Sequence, residues 1–257
     1  MQNRLTVSLL QTNPAWKDVG KNLLDIENKL VGVSSETDLV LLPEMFATGF
    51  VTDPTDVAET MEGMTVQWLQ KMAKTKQVAL AGSLPIKVAN LYFNRFVFAA
   101  PSWKISFYDK RHLFAYAGED KEYTPGNKRL IAQVNGWKIC LQICYDLRFP
   151  VWARKQTPDE YDLLLYVANW PERRNHAWKT LLCARAIENQ TYVVGVNRVG
   201  KDGHQINHSG DSMIVGPSGE ILYDCADRKE LHTQTLDPVL LQETRDRFPF
   251  LRDADGF

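Results

Sequence analysis

The stretch Trp137-Lys138-Ile139-Cys140-Leu141-Gln142-Ile143-Cys144-Tyr145-Asp146-Leu147-Arg148-Phe149-Pro150 passes from an apolar, strand-like run into a polar, charged turn at a cysteine. Ile139, Leu141 and Ile143 alternate with Cys140, Gln142 and Cys144, a period of two that reads as a strand rather than a helix. Cys144 is then expected as the last strand residue. Pro150 is permitted in the first turn of a helix, so 149–154 is expected to begin one. A thiol at such a bend points outward, near backbone N–H groups able to hold an anion; the alternative is a buried cysteine acting as a small hydrophobe.

Outward from this strand, Asn135-Gly136 is a strong two-residue turn signal, because both central positions of a type I′ turn need positive φ. It joins a strand at 130–134 to the cysteine strand. Strands at 92–99 and 104–108 leave no room for intervening helices, so hairpins are expected there. The N-terminal part alternates instead. A strand at 5–10 precedes a helix capped by Asp18 with Leu23, Ile26 and Leu30 on one face. The continuous apolar run 38–42, typical of a strand covered on both faces, stops at Pro43-Glu44. Thr65 is read as the cap of a helix facing Val66, Leu69 and Met72 inward, followed by a strand at 78–82.

The C-terminal part alternates again: a strand at 163–167, a helix at 176–189 burying Leu181, Leu182 and Ile187, and a strand at 192–196. A hairpin follows around Pro217-Ser218-Gly219, then a last strand at 231–236 and a closing helix from Pro238 to about Phe248. No linker or low-complexity tract divides the chain, so 1–257 reads as one domain. Alternating blocks on either side of a hairpin-rich middle point to two packed sheets with helices outside.

A chain of 257 residues can bury a sizeable core without staples, and its four cysteines lack C-x-x-C spacing, so neither a disulfide framework nor a zinc ribbon is indicated. A reducing cytoplasm fits best. Met1-Gln2-Asn3-Arg4 leads into a short apolar run that Gln11, Asn13 and Pro14 end too early for a signal peptide, and no run reaches membrane-spanning length. A net charge of −1 argues against a general nucleic-acid binder and favours small-molecule chemistry. His204-x-x-x-His208 has neither a fixed helix nor a third ligand, so it is not read as a metal site.

Three further residues share the strand-end setting of Cys144: Glu44, Lys110 after the strand ending at Tyr108-Asp109, and Glu119 in the loop beyond. A thiol needs a base, which Glu44 can be in a dry pocket. Attack on a carbonyl builds an oxyanion, which Lys110 and the Tyr145 N–H can hold, while Glu119 keeps Lys110 charged.

Leu42-Pro43-Glu44-Met45-Phe46, Tyr108-Asp109-Lys110-Arg111-His112-Leu113-Phe114 and Cys144-Tyr145-Asp146-Leu147-Arg148-Phe149-Pro150 resemble, in the same order, the three catalytic motifs of the nitrilase (carbon–nitrogen hydrolase) superfamily. The resemblance extends through Tyr166-Val167-Ala168-Asn169-Trp170-Pro171, 184–190, Asn197-Arg198-Val199-Gly200 and Gly210-Asp211-Ser212, and looks most like the bacterial ω-amidases. It implies an α/β fold, a four-layer α-β-β-α sandwich paired into a homodimer through outer helices, and no metal or cofactor. It implies Cys144 as nucleophile, Glu44 as general base, Lys110 as oxyanion stabiliser and Glu119, rather than Glu122, as second glutamate. The substrate implied is a small carboxylic-acid amide of the 2-oxoglutaramate or 2-oxosuccinamate type. Tyr145, Arg148, Asn169 and Trp170 are candidate substrate contacts; Arg173 and Arg174 are alternatives to Arg148 for a substrate carboxylate. The rivals are another branch acting on nitriles or N-carbamoyl compounds, and a catalytically silent scaffold or thiol sensor. A papain-type Cys-His enzyme is disfavoured, since no histidine sits in a comparable strand-end motif.

Overall fold

A computed structural model of the chain describes residues 3–155 and 160–254; Met1 and Gln2 of the leading segment lie outside them. The chain opens with β1 (Leu5–Gln11), α1 (Val19–Leu30), β2 (Leu39–Leu41), α2 (Met64–Lys76) and β3 (Ala79–Val88), and the three strands are parallel neighbours. α1 starts where the Asp18 carboxylate accepts the Lys21 N–H at 3.1 Å, and it buries Leu23, Ile26 and Leu30 as the spacing predicts. At α2 the expected cap is corrected: the N-cap is Gly63, and Thr65 is buried inside the first turn. The Glu59 carboxylate accepts the N–H groups of Thr65 and Val66 at 2.9 and 3.2 Å, so a side chain from outside the helix satisfies its open donors.

β3 runs beyond Gly82 because it forms a hairpin with β4 (Leu91–Ala99), which in turn pairs with β5 (Ile105–Asp109). Past the one-turn α3 (Glu119–Glu122), Asn135 and Gly136 take φ of 49° and 85° and join β6 (Ile131–Val134) to β7 (Trp137–Ile143), as the turn signal requires. After the short α4 (Pro150–Ala153) come β8 (Leu163–Ala168), α5 (Asn175–Asn189), β9 (Tyr192–Asn197), β10 (Val199–Lys201), β11 (Asn207–Val215), β12 (Ile221–Ala226), β13 (Glu230–Leu236) and α6 (Pro238–Arg247).

One sheet has the order β13-β1-β2-β3-β4-β5; the other runs β10-β11-β9-β8-β7-β6, with β12 on β11. Between the sheets lie Leu9, Leu41 and Phe96 from the first and Ile139, Leu141 and Leu165 from the second. On the first sheet's outer face Val40 and Leu80 meet Leu23 and Ile26 of α1 and Leu69 of α2. On the second's, Leu164, Tyr166 and Val193 meet Trp178 and Leu182 of α5. Each central strand is apolar on both faces because helices cover one and the partner sheet the other. The result is the four-layer α-β-β-α sandwich.

The expected inward face of α5 is partly wrong. Leu182 is buried with Trp178, Arg185, Ala186 and Asn189, whereas Leu181 is half-buried and Ile187 is 50% exposed. Trp178 and Leu182 press on Gly195 of β9, where a Cβ would come within 2.7 Å of both, and that close approach sets the helix rotation. Among the described residues no helix is long and apolar enough to cross a membrane.

Candidate active site

The parallel strands β2, β7 and β8 deliver Glu44, Cys144 and Asn169 from their C-terminal ends to one edge of the sandwich, and β5 delivers Lys110. Cys144 has φ of 45°, a left-handed conformation costing a non-glycine residue about 1–2 kcal/mol. Asp146 holds the bend: its buried carboxylate accepts the Ile143 N–H (3.0 Å), the Tyr108 hydroxyl (2.7 Å) and the His112 N–H (2.9 Å), and lies 2.8 Å from His112 Nδ1. His112 stacks on Phe149, so the turns after β5 and β7 brace each other. Glu44 lies at a similar reversal, with Met45 at φ 45° and its N–H donated to Ser83 Oγ at 3.0 Å. Lys110 is fixed by the backbone: its N–H donates to Asn94 O and its carbonyl accepts from Gly126, where a Cβ would strike Asp109 O.

Glu44, Lys110 and Glu119 form one buried cluster, at most 1% exposed. Lys110 Nζ donates to Glu44 Oε1 at 3.0 Å and to Glu119 Oε1 and Oε2 at 3.1 and 2.9 Å. Asn94 Nδ2 donates to Oε1 of both carboxylates, at 2.8 and 3.0 Å. Glu119 Oε2 also accepts the Phe114 N–H at 2.6 Å, and Glu44 Oε2 accepts the Asn169 N–H at 2.8 Å. Burial pulls the Lys110 pKa down, but Glu119 and Glu44 outweigh it and leave the ammonium above its ordinary value. Burial pushes the Glu119 carboxyl up; Lys110 pulls it back, Glu44 adds repulsion, and the net direction is up.

The Cys144 thiol meets this cluster. Burial pushes its pKa well up, the Glu44 carboxylate beside it pushes the same way, and Lys110 and the Asn169 N–H oppose them. Burial and the neighbouring carboxylate thus favour the neutral thiol. Sγ faces a cavity of about 260 Å³ walled by Phe50, Phe114, Tyr145, Arg148, Asn169, Trp170, Arg173 and Arg174. The Arg148 guanidinium lies 4.8 Å over the Trp170 ring and that of Arg174 5.2 Å over Phe114. Burial and Arg173 lower the Arg174 pKa from its ordinary value.

The four residues Glu44, Lys110, Glu119 and Cys144 thus come together, and Glu122 is exposed. Tyr145 lines the cavity and meets Phe114 and Phe149 edge-on. Asn169 lines it and grips Glu44, its Nδ2 donating to Glu44 O at 2.6 Å. Trp170, 3% exposed, lines the cavity and packs against Trp178, with its indole N–H on Arg174 O. His204 lies edge-on to Trp16 and His208 contacts Ile206 O, while burial and then Arg198 lower the His208 pKa to about 4. Among the described residues no group of three or more His, Cys, Asp or Glu could hold a metal. Sequence reading missed Asn94, which sits mid-strand with no turn or motif edge to mark it. It also missed the bracing role of Asp146.

The carbon-nitrogen hydrolase family model matches residues 6–246. The chain is 41% identical over 254 residues to an omega-amidase of Escherichia coli strain K12, with 98% of each chain covered. It is 31% identical to a 2-oxoglutaramate amidase of Bacillus subtilis, with 96% of each covered. A CN-hydrolase superfamily protein of Xanthomonas campestris, solved with an arsenic adduct in its active site, superimposes with a TM-score of 0.97 at 40% identity, covering 99% of this chain and 98% of that one.

Proposed function

The chain belongs to the carbon-nitrogen hydrolase family, and from that premise we propose that this amide-hydrolysing enzyme cleaves the terminal amide of a short 2-oxo dicarboxylic acid, of the 2-oxoglutaramate or 2-oxosuccinamate type, through a thioester on Cys144. The supporting observation is a strained, cavity-facing thiol beside a buried carboxylate, in a cavity with three arginines in its wall. Glu44 takes the Cys144 proton as Sγ attacks the amide carbon, and the carbonyl electron pair becomes an oxyanion held by Lys110 and the Tyr145 N–H. Glu44 gives the proton to the amide nitrogen, the C–N bond breaks, and ammonia leaves a thioester. Water then loses a proton to Glu44 and attacks; the C–S bond breaks, and the returning proton regenerates the thiol. Glu119 keeps Lys110 charged and in place.

The substrate's far carboxylate needs a cationic partner, and a planar guanidinium binds it with two parallel hydrogen bonds. Arg148, four residues past the nucleophile and held on Trp170, is the first candidate, with Arg173 and Arg174 beside it. Arg148→Lys should lower kcat/KM for 2-oxosuccinamate or 2-oxoglutaramate by about tenfold or more, and far less for an uncharged short amide. Equal losses on both would leave Arg148 a support for the turn only. Ammonia release from matched ω-amides, nitriles and N-carbamoyl acids tests the substrate class, and preference for either of the last two overturns it.

We also place the enzyme in a homodimer. Ile187, Val151 and Phe248 are 50–68% exposed on outer elements tied together by Arg154 Nη1 on Glu188 O and Gln190 Nε2 on Phe248 O. Sedimentation should show a species of twice 29.4 kDa at micromolar concentration; a monomer alone would remove this assignment. A reducing cytoplasm suits a chain with four sparse cysteines and no C-x-x-C spacing, and fractionation that recovers the enzyme elsewhere would exclude it.

A further inference from the structure

We propose that Asn94 is a positioning residue that decides which carboxylate oxygen receives the thiol proton, by occupying the alternatives. This rests on the assignment of Glu44 as base. Glu119 has two donors on each oxygen: Asn94 Nδ2 and Lys110 Nζ on Oε1, Lys110 Nζ and the Phe114 N–H on Oε2. Glu44 Oε1 likewise has two, Asn94 Nδ2 and Lys110 Nζ. Glu44 Oε2 has one among the described residues, the Asn169 N–H. A carboxylate oxygen offers two lone-pair sites, so of the four oxygens Glu44 Oε2 keeps an open one. Glu44 is also the carboxylate that meets the thiol.

Among the described residues Asn94 is the one side chain that donates to both carboxylates without carrying charge. Its orientation is forced. Rotating the amide would aim its oxygen at two acceptors, whereas as placed Oδ1 faces no partner among the described residues. Its backbone carbonyl also accepts the Lys110 N–H at 3.0 Å, so one residue of β4 registers the lysine and both acids. Asn94 is fully buried and does not line the substrate cavity. The other ionisable groups facing the pair are Lys110 after β5, Cys144 after β7 and Tyr123 after α3; the Tyr123 hydroxyl donates to Val51 O at 2.9 Å and stays neutral.

Without the amide donor, Oε1 of each acid opens to protonation and the ionised base loses a hydrogen bond. Asn94→Ala should therefore lower kcat about 10–100-fold and leave KM within about threefold. The acid limb of kcat/KM should move to higher pH by about one to two units. Isosteric Asn94→Asp, which removes the donor and adds negative charge, should move it further. A limb at the wild-type position in folded Asn94→Ala, or a raised KM at unchanged kcat, overturns the proposal. If neither variant folds, the side-chain amide of Asn94 in ¹⁵N-labelled wild-type enzyme decides. Both N–H protons should lie downfield and shift together with the kinetic acid limb, and amide protons that ignore that titration overturn it. Cys144→Ala run alongside separates the premises: if it stays active, the base assignment fails as well; if it is dead and the limb is unmoved, only the role of Asn94 fails.

Discussion

Cys144→Ala should abolish ammonia release, lowering kcat by about 10⁴-fold or more, while the protein folds with nearly normal stability. The rate loss follows from geometry: Cys144 is the cysteine that lines the cavity, whereas Cys140 and Cys225 are buried in other surroundings and Cys183 lies on α5. The mild effect on folding follows because alanine is strained at φ 45° to about the same degree as cysteine, and the turn is held by the Asp146 carboxylate rather than by Sγ. Intact-mass measurement of a quenched wild-type reaction should show a substrate-derived adduct that the variant lacks. An adduct persisting in Cys144→Ala would move the chemistry to another side chain.

Lys110→Ala should fail twice over. Loss of the oxyanion's positive partner should lower kcat by about 10²–10³ or more. The second loss is of stability. Glu44 and Glu119 are fully buried and share this one ammonium, so its removal leaves two unneutralised carboxylates in the core, a cost of about 3–5 kcal/mol. Read from its motif alone, the substitution would be expected to affect folding little; burial reverses that. The pH dependence has a definite sign. Without Lys110, the upward push on the Glu119 carboxyl from burial is opposed less, so its folded-state pKa lies further above the unfolded value. Such a group favours the folded state at low pH and loses that contribution as pH rises through the folded pKa, so the deficit against wild type should shrink as pH falls from about 8 to 5. Urea melts at several pH values, with rates corrected for the folded fraction, test both effects. A stable variant with near-normal kcat would mean that the Tyr145 N–H suffices and that the two acids share a proton.

Much of this architecture is written locally. The period-two run before Cys144, the continuous apolar runs of β2 and β8, the i, i+3, i+7 spacing of Leu23, Ile26 and Leu30, and Asn135-Gly136 each act within a few residues, where backbone geometry alone dictates periodicity and turn type. The site motifs are legible for the same reason, since each is a strand that stops at a polar residue. What depends on register across the sheets is not written locally. The β13–β1 pairing joins the two ends of the chain, and no short-range signal specifies it. The inward face of α5 follows from the approach to Gly195, not from the count of apolar residues, which is why Ile187 lies outside. Asn94 meets Glu44 from 50 positions away and Glu119 from 25, and reads in the sequence as one polar residue in a strand. Whether a lysine is a surface charge or the shared counter-ion of two buried acids is decided by what the fold packs around it, because the cost of desolvation depends on tertiary neighbours and not on the residues beside it in the chain.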